Sequence, residues 1–274
     1  MKYNFTLRKG DRGQEVARVQ KTLGIADDAI FGSQTEKAVM AFQETKGLVV
    51  DGIAGPNTLS LMGIPVYLGI DVSTWNGDIE WKKVAEDGVK FAYVKLTEGR
   101  TYISRRGSEI NGARCEGIAV GAYHFGRPDT DAGIHDAVAE ANHFLEVYDH
   151  HANDLRPVLD MEKGMKTDDS FNARWALKFC DVVEEAIGKR PIIYTARWYV
   201  QSYFERAEDS LLYELGKEDL WWAEYSDEQK KALRPWSEWK LWQFTNRGEI
   251  DGIKGSVDLN WCAGGQFPAL FKSC

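Results

Sequence analysis

Over the first sixty residues the apolar positions fall at helical spacing, and the pattern itself recurs. Shifting the chain by 23 residues places Val16 on Val39, Gln20 on Gln43, Thr22 on Thr45, Gly24 on Gly47, Asp28 on Asp51, Ile30 on Ile53, Gly32 on Gly55 and Thr35 on Thr58. Each unit reads as an amphipathic helix closed by a glycine, then a loop D-x-I-x-G-x-x-T that leads into the next helix. The spacing predicts helices over 13–23, 33–46 and 56–62, with Val16, Val19, Leu23, Ile30, Val39, Phe42, Leu48 and Ile53 as core. Asp11 with Gln14 and Ser33 with Glu36 have capping-box spacing, and Pro56 sits where a first helical turn accepts proline.

Beyond residue 66 the period changes. Short runs rich in β-branched and aromatic residues alternate with helical patterns, which is the signature of βα units. Strands are expected over 67–72, 90–96, 119–125, 157–161, 191–195, 220–223, 240–244 and 256–259, and helices over 79–86, 132–148 and 171–187. The fold class this implies is α/β: an irregular (β/α) barrel of about eight strands, preceded by a small three-helix all-α domain. The expected division is 1–62 for the helical module, 63–66 for a linker and 67–274 for the barrel.

Composition narrows the possibilities. With 274 residues, 43% of them hydrophobic, the chain can bury a substantial core and is not a disordered polymer. No run approaches the roughly 18–20 apolar residues of a bilayer helix, and the stretch from Met1 to Lys9 does not read as a cleavable secretory leader. Residues 1–62 carry eight basic and seven acidic side chains, net +1, leaving 26 against 35, net −9, for the remainder. Nucleic acid is therefore not an expected partner, since phosphate binding needs a positive groove. A monomer is expected. All ten Trp and all four Cys (Cys115, Cys180, Cys262 and Cys274) also lie beyond residue 70. The Cys and His show no metal-ligand spacing, so neither metal nor cofactor is expected. Cys262 and Cys274 could pair only in an oxidising compartment.

Candidate chemistry collects at strand ends. Asp71, Glu98, His124, Asp160, Glu162, Glu224, Gln243 and Asp258 each stand at or just past the end of an expected strand, the catalytic rim of such a barrel. In Pro157-Val158-Leu159-Asp160-Met161-Glu162, strand alternation puts Asp160 and Glu162 on one face. Two carboxylates crowded in a partly dry pocket raise at least one pKa, giving a protonated acid beside an ionised partner. Glycosidic cleavage requires that division of labour. Tyr123, Phe125, Tyr194, Trp222 and Trp242 are candidates for packing on sugar rings, although Trp221 and Trp222 are adjacent and only one of them can face inward. His124 is read as a hydrogen-bond donor in or beneath the site, and His150 and His151 as closing an exposed helix.

The N-terminal repeat, with Gly10-Asp11-Arg12-Gly13 ahead of it and 50–58 (V-D-G-I-A-G-P-N-T) closing it, resembles the peptidoglycan-binding domain found beside many cell-wall hydrolases. That resemblance implies a non-catalytic anchor on the wall polymer; the alternative is a helical module used for packing or dimerisation. The barrel resembles glycoside hydrolase family 25, the lysozymes of Chalaropsis type. The motifs are G-I-D-V-S at 69–73, F-A-Y-V-K-L-T-E-G at 91–99, G-A-Y-H-F at 121–125, P-V-L-D-M-E at 157–162, P-I-I-Y-T at 191–195, L-W-Q-F at 241–244 and V-D-L-N at 257–260. The resemblance implies N-acetylmuramidase activity on bacterial peptidoglycan by a substrate-assisted route. Glu162 would be general acid and then base, Asp160 would orient or stabilise the N-acetyl group, Asp71 and Asp258 would complete the acidic site, and Glu98 would support it. Gln243 joins the candidate binding residues. Glu224, Arg197 and Trp198 depart from the family pattern and receive no role. A wall amidase or peptidase and a catalytically dead glycan-binding barrel remain alternatives. The expected setting is a phage endolysin held in the host cytoplasm before lysis, with a bacterial autolysin as the other possibility. If the module acts only as a tether, deleting 1–62 weakens retention on insoluble wall and spares cleavage of soluble glycan.

Overall fold

The computed structural model describes residues 3–105, 110–149, 152–225, 234–263 and 267–270. His150, His151 and Cys274, about which the sequence raised expectations, lie outside the described residues. The N-terminal module contains α1 (Gln14–Thr22), α2 (Ser33–Thr45) and α3 (Pro56–Leu61). Gly24 and Gly47 follow the first two helices with φ of 68° and 66°, the left-handed turn that favours glycine. The repeat has a side-chain explanation. Gln20 Nε2 lies within 2.8–2.9 Å of Asp28 Oδ1, the Ile30 carbonyl and Thr35 Oγ1. Gln43 Nε2 lies within 2.8–3.2 Å of Asp51 Oδ1, the Ile53 carbonyl and Thr58 Oγ1. The recurring Gln, Asp, Ile and Thr therefore form one buried loop lock, built twice.

Two local expectations fail in the module. The caps of α1 and α2 are Gly13 and Gly32, neither supplying a side chain, so the capping boxes do not form. Asp11 Oδ2 instead accepts the Arg8 N–H at 2.7 Å and tightens the preceding turn. Ile30 is exposed while Phe31 beside it is buried, because the Ile30 carbonyl must face Gln20.

The barrel strands are β1 (Val66–Val72), β2 (Phe91–Glu98), β3 (Tyr102–Ile103), β4 (Ala119–Phe125), β5 (Val158–Asp160), β6 (Ile192–Ala196), β7 (Leu220–Ala223), β8 (Leu241–Gly248) and β9 (Val257–Ala263). Among the described residues they form one sheet in the order β1-β9-β8-β7-β6-β5-β4-β2-β3, closed by β1 pairing with β2. The closed barrel thus has eight strands, with β3 a short hairpin on β2. Seven run parallel; β9 is antiparallel to both β8 and β1. Helices α4 (Trp81–Glu86), α5 (Ile110–Cys115), α6 (His135–Val147) and α7 (Phe171–Ile187) accompany the earlier strands. The interior is packed by inward residues such as Phe91, Tyr93, Ile192, Trp221 and Leu241. Gly69 and Gly121 are glycines by necessity, since a Cβ would stand 2.2 Å from the Phe91 ring and 2.4 Å from the Tyr93 ring.

Candidate active site

The reversed direction of β9 shapes the site. Asp258 was expected at a strand's C-terminal end; it lies near the start of β9 and directly across from Asp71 near the end of β1. An antiparallel strand begins on the rim where its parallel neighbours finish, so the carboxylate reaches the same place by the opposite route. On the other side of the barrel Asp160 and Glu162 follow the inward alternation, while Leu159 and Met161 are buried in the outer layer. Asp71, Asp160, Glu162 and Asp258 converge on one cavity of ≈ 210 Å³. Tyr123, Phe125, Tyr194 and Gln243 also line it, together with Trp221 and with Ser73, Trp75, Lys95, Val158 and Tyr225, to which the sequence gave no role.

Hydrogen bonds fix the far wall. Asp71 Oδ2 accepts from Gln243 Nε2 at 2.9 Å and from Asn260 Nδ2 at 2.8 Å. Trp221 Nε1 donates to Asn260 Oδ1 at 2.8 Å, and the Tyr194 and Tyr225 hydroxyls donate to Gln243 Oε1 at 2.9 and 3.1 Å. Each amide is thereby oriented with its NH₂ toward Asp71.

The acids are displaced upward from the ordinary carboxylate range, in every case chiefly by burial. Asp71 is pushed to about 6, with Glu162 adding to the rise and the Asn260 and Gln243 hydrogen bonds opposing it. Asp258 is pushed to about 8, burial being reinforced by Asp71 and Glu162. Asp160 rises through burial and the nearby Glu162 charge, opposed by Lys95. Glu162 also rises through burial, but the nearby Tyr194 hydroxyl and the charges of Lys163 and Lys95 draw it back. Asp160 Oδ1 is buried without a hydrogen-bond partner among the described residues. Such a cavity holds protons near neutral pH and retains some negative charge, the combination that acid catalysis beside an electrostatic stabiliser requires.

Five residues that the sequence marked lie elsewhere. Trp222 and Trp242 point to the outer face, where they join the core beneath the surrounding elements, and Trp221 takes the inward position. The parity of β7 is unreadable from L-W-W-A, because no polar residue marks the cavity side. Glu98 does not line the cavity but stands on the rim beside it, 2.6 Å from Lys95 Nζ and 3.0 Å from Arg127 Nη1. Glu224, left without a role, is bound to Arg197 at 2.6 Å. His124 also faces outward. Its Nδ1 is 2.7 Å from Thr97 Oγ1 and its Nε2 2.8 Å from Glu140 Oε2, and burial holds the imidazole neutral with a pKa lowered to about 3. Lys95 and Asn260 carried a usable signal, each being a polar residue two positions from an inward one. Trp75, almost fully exposed at 92%, carried none.

Comparison with known proteins agrees with this geometry. The family described as "Glycosyl hydrolases family 25" matches residues 70–253, and "Putative peptidoglycan binding domain" matches residues 12–62. The uncharacterized protein YegX of Escherichia coli (strain K12) is 31% identical over 205 residues, covering 70% of this chain and 68% of its own. Lysozyme M1 of Streptomyces globisporus is 30% identical over 204 residues, covering 70% of this chain and 66% of its own. The crystal structure of the bacterial lysozyme from Streptomyces coelicolor superposes with a TM-score of 0.62 at 27% identity, covering 71% of this chain and 90% of that one. Among the described residues no helix is long and apolar enough to cross a membrane. A family match over most of the chain and a rim of converging carboxylates lead to one conclusion: the chain belongs to glycosyl hydrolase family 25, the lysozyme family of N-acetylmuramidases, and carries a peptidoglycan-binding domain ahead of its hydrolase barrel.

Proposed function

We propose that this chain hydrolyses the β-1,4 bond from N-acetylmuramic acid to N-acetylglucosamine, with Glu162 as acid and then base and Asp160 as its assistant. The observation that supports this most is the pair itself, two inward carboxylates from one strand end sharing one cavity. In the first step Glu162 gives its proton to the glycosidic oxygen as the C1–O bond breaks. The acetamido oxygen of the muramic sugar closes on C1 and takes up the positive charge. In the second step Glu162 removes a proton from water as the water oxygen bonds to C1 and the ring of the intermediate opens, which restores the acetamido group and the acid. Asp160 Oδ1, a buried acceptor unpaired among the described residues, suits the N–H that an acetamido sugar presents. Tyr123, Phe125 and Trp221 supply faces for sugar C–H groups.

The N-terminal module adds affinity for the polymer. The setting we propose is that of an endolysin, stored in a host cytoplasm and reaching the wall when the membrane opens. Expressed in a bacterial cytoplasm, it should leave cells intact until they are permeabilised; lysis without permeabilisation would instead favour an exported autolysin.

Glu162→Gln tests the chemical assignment. Turnover of soluble glycan should fall by about 10²–10⁴-fold, with the melting temperature and wall sedimentation unchanged. A folded Glu162→Gln variant that keeps wild-type turnover would remove Glu162 from its role.

A further inference from the structure

Among the described residues, Lys95 is the one cationic side chain on a cavity wall that also presents Asp71, Asp160, Glu162 and Asp258. An inward lysine in a closed barrel is expensive unless its charge is compensated. The compensation comes from the rim. Glu98 Oε2 lies 2.6 Å from Lys95 Nζ, and Arg127 Nη1 holds the other Glu98 oxygen at 3.0 Å while Arg127 Nε is fixed to Asp129 at 2.8 Å. The ammonium rests 4.4 Å from the centre of the Phe125 ring and 5.6 Å from that of Tyr102. Its side chain is only 12% exposed. Strand register puts Lys95 beside Tyr123 and then Val158, one inward step below Asp160, while Glu98 is level with Phe125 and Asp160. Among the described residues Tyr123, its cross-strand partner, and the neutral His124 on the outer side of β4 are further titratable neighbours, the burial of Tyr123 keeping its phenol protonated.

We infer that Lys95 is an electrostatic positioning residue of the site: gripped by Glu98 and braced by Arg127, it keeps one carboxyl of the Asp160–Glu162 pair ionised while the other holds the reaction's proton. This inference rests on the reading of that pair given above. Four acids crowded on one cavity do not all ionise together, and a fixed cation on the same wall admits one negative charge at ordinary pH. The same direction appears in Asp160, whose carboxyl Lys95 draws down and Glu98 pushes up.

The test is a ¹³C-NMR titration of the Asp160 and Glu162 carboxyls in the full chain, run beside the pH profile of kcat/KM on soluble glycan. The titration midpoints of the pair are read as shared values. Lys95→Met should raise them by about one pH unit and carry the limbs of the profile with them; Lys95→Arg should restore the wild-type positions. Glu98→Gln should move the midpoints down, because it removes a negative charge and leaves Lys95 less compensated. These opposite displacements separate electrostatics from packing, since a structural role would lower kcat in both variants and leave the midpoints in place. Unmoved midpoints in Lys95→Met, or midpoints that stay or rise in Glu98→Gln, overturn the inference. If Lys95→Met does not fold, Lys95→Gln takes its place with the same expected rise, because a fall in Glu98→Gln also follows from loss of the Glu98 charge itself. An active Glu162→Gln would sink the catalytic reading and leave the titration result standing, so the two failures are distinguishable.

Discussion

At the scale of residues, the site's chemistry has a cost that appears in the pH dependence of stability. Asp71 and Asp258 have folded-state values of about 6 and about 8, against an ordinary 3.8. The folded chain therefore binds these protons more tightly than the unfolded one. Their favourable contribution is complete below about pH 4 and is lost as pH rises through the folded values. The melting temperature should decline between about pH 4 and about pH 8, and Asp258→Asn should flatten that decline by removing the upper titration. A variant with the same slope as the wild type would mean that Asp258 is not held protonated by the fold. Much of this site was legible in the sequence, because Asp160 and Glu162 sit in a clear alternation and the Asp71 and Asp258 segments are short and distinctive. The inward tryptophan was not legible. Trp221 and Trp222 are equally apolar, and only the register with β6 and β8 decides which one meets the cavity.

At the scale of elements, the repeat was visible as eight matched identities, but its reason is tertiary. Gln43 Oε1 also accepts the Asp51 and Gly52 N–H groups at 3.1 and 2.9 Å, so one side chain satisfies both sides of a loop. Gln43→Ala should cost about 2–4 kcal/mol in urea unfolding, since it strands buried donors and acceptors together. A loss below about 0.5 kcal/mol would show that the loop is held by other means. Helix caps were misread because the spacing of Asp11 and Ser33 satisfies a rule that Gly13 and Gly32 pre-empt. The direction of β9 was equally hidden. A strand's apolar pattern is the same read either way, and only the short β8–β9 connection hinted at a hairpin.

At the scale of the molecule, the antiparallel β8–β9 turn has no crossover helix, and the N-terminal segment covers that face instead. Phe5 packs edge-on to Trp261 at 5.8 Å, Tyr3 meets Phe244 at 6.3 Å, and Phe244 stacks on Trp261 at 5.1 Å. Gln14 binds both the N–H and the carbonyl of Trp239 at 2.7 Å. The connection is short: Met62 and Ile64 are buried, and Val66 already belongs to β1. A module acting only as a tether does not fit this arrangement. Deleting residues 1–62 should lower the melting temperature of the barrel and reduce cleavage of soluble glycan as well as retention on wall, because each large aromatic or aliphatic group returned to water forfeits about 1.5–3 kcal/mol. Two independent melting transitions in the full chain, with a truncated barrel as stable and active as before, would restore the tether. The sequence could not show this, since the aromatic face is made from residues more than two hundred positions apart.

The central claim is that these carboxylates break a glycosidic bond, and the products decide it most directly. Purified peptidoglycan digested by the full chain, reduced with borohydride and read by mass spectrometry, should yield reduced muramic acid at new chain ends without new free amines. New amines without new reducing sugars would place the cleavage in the wall peptide and contradict the account.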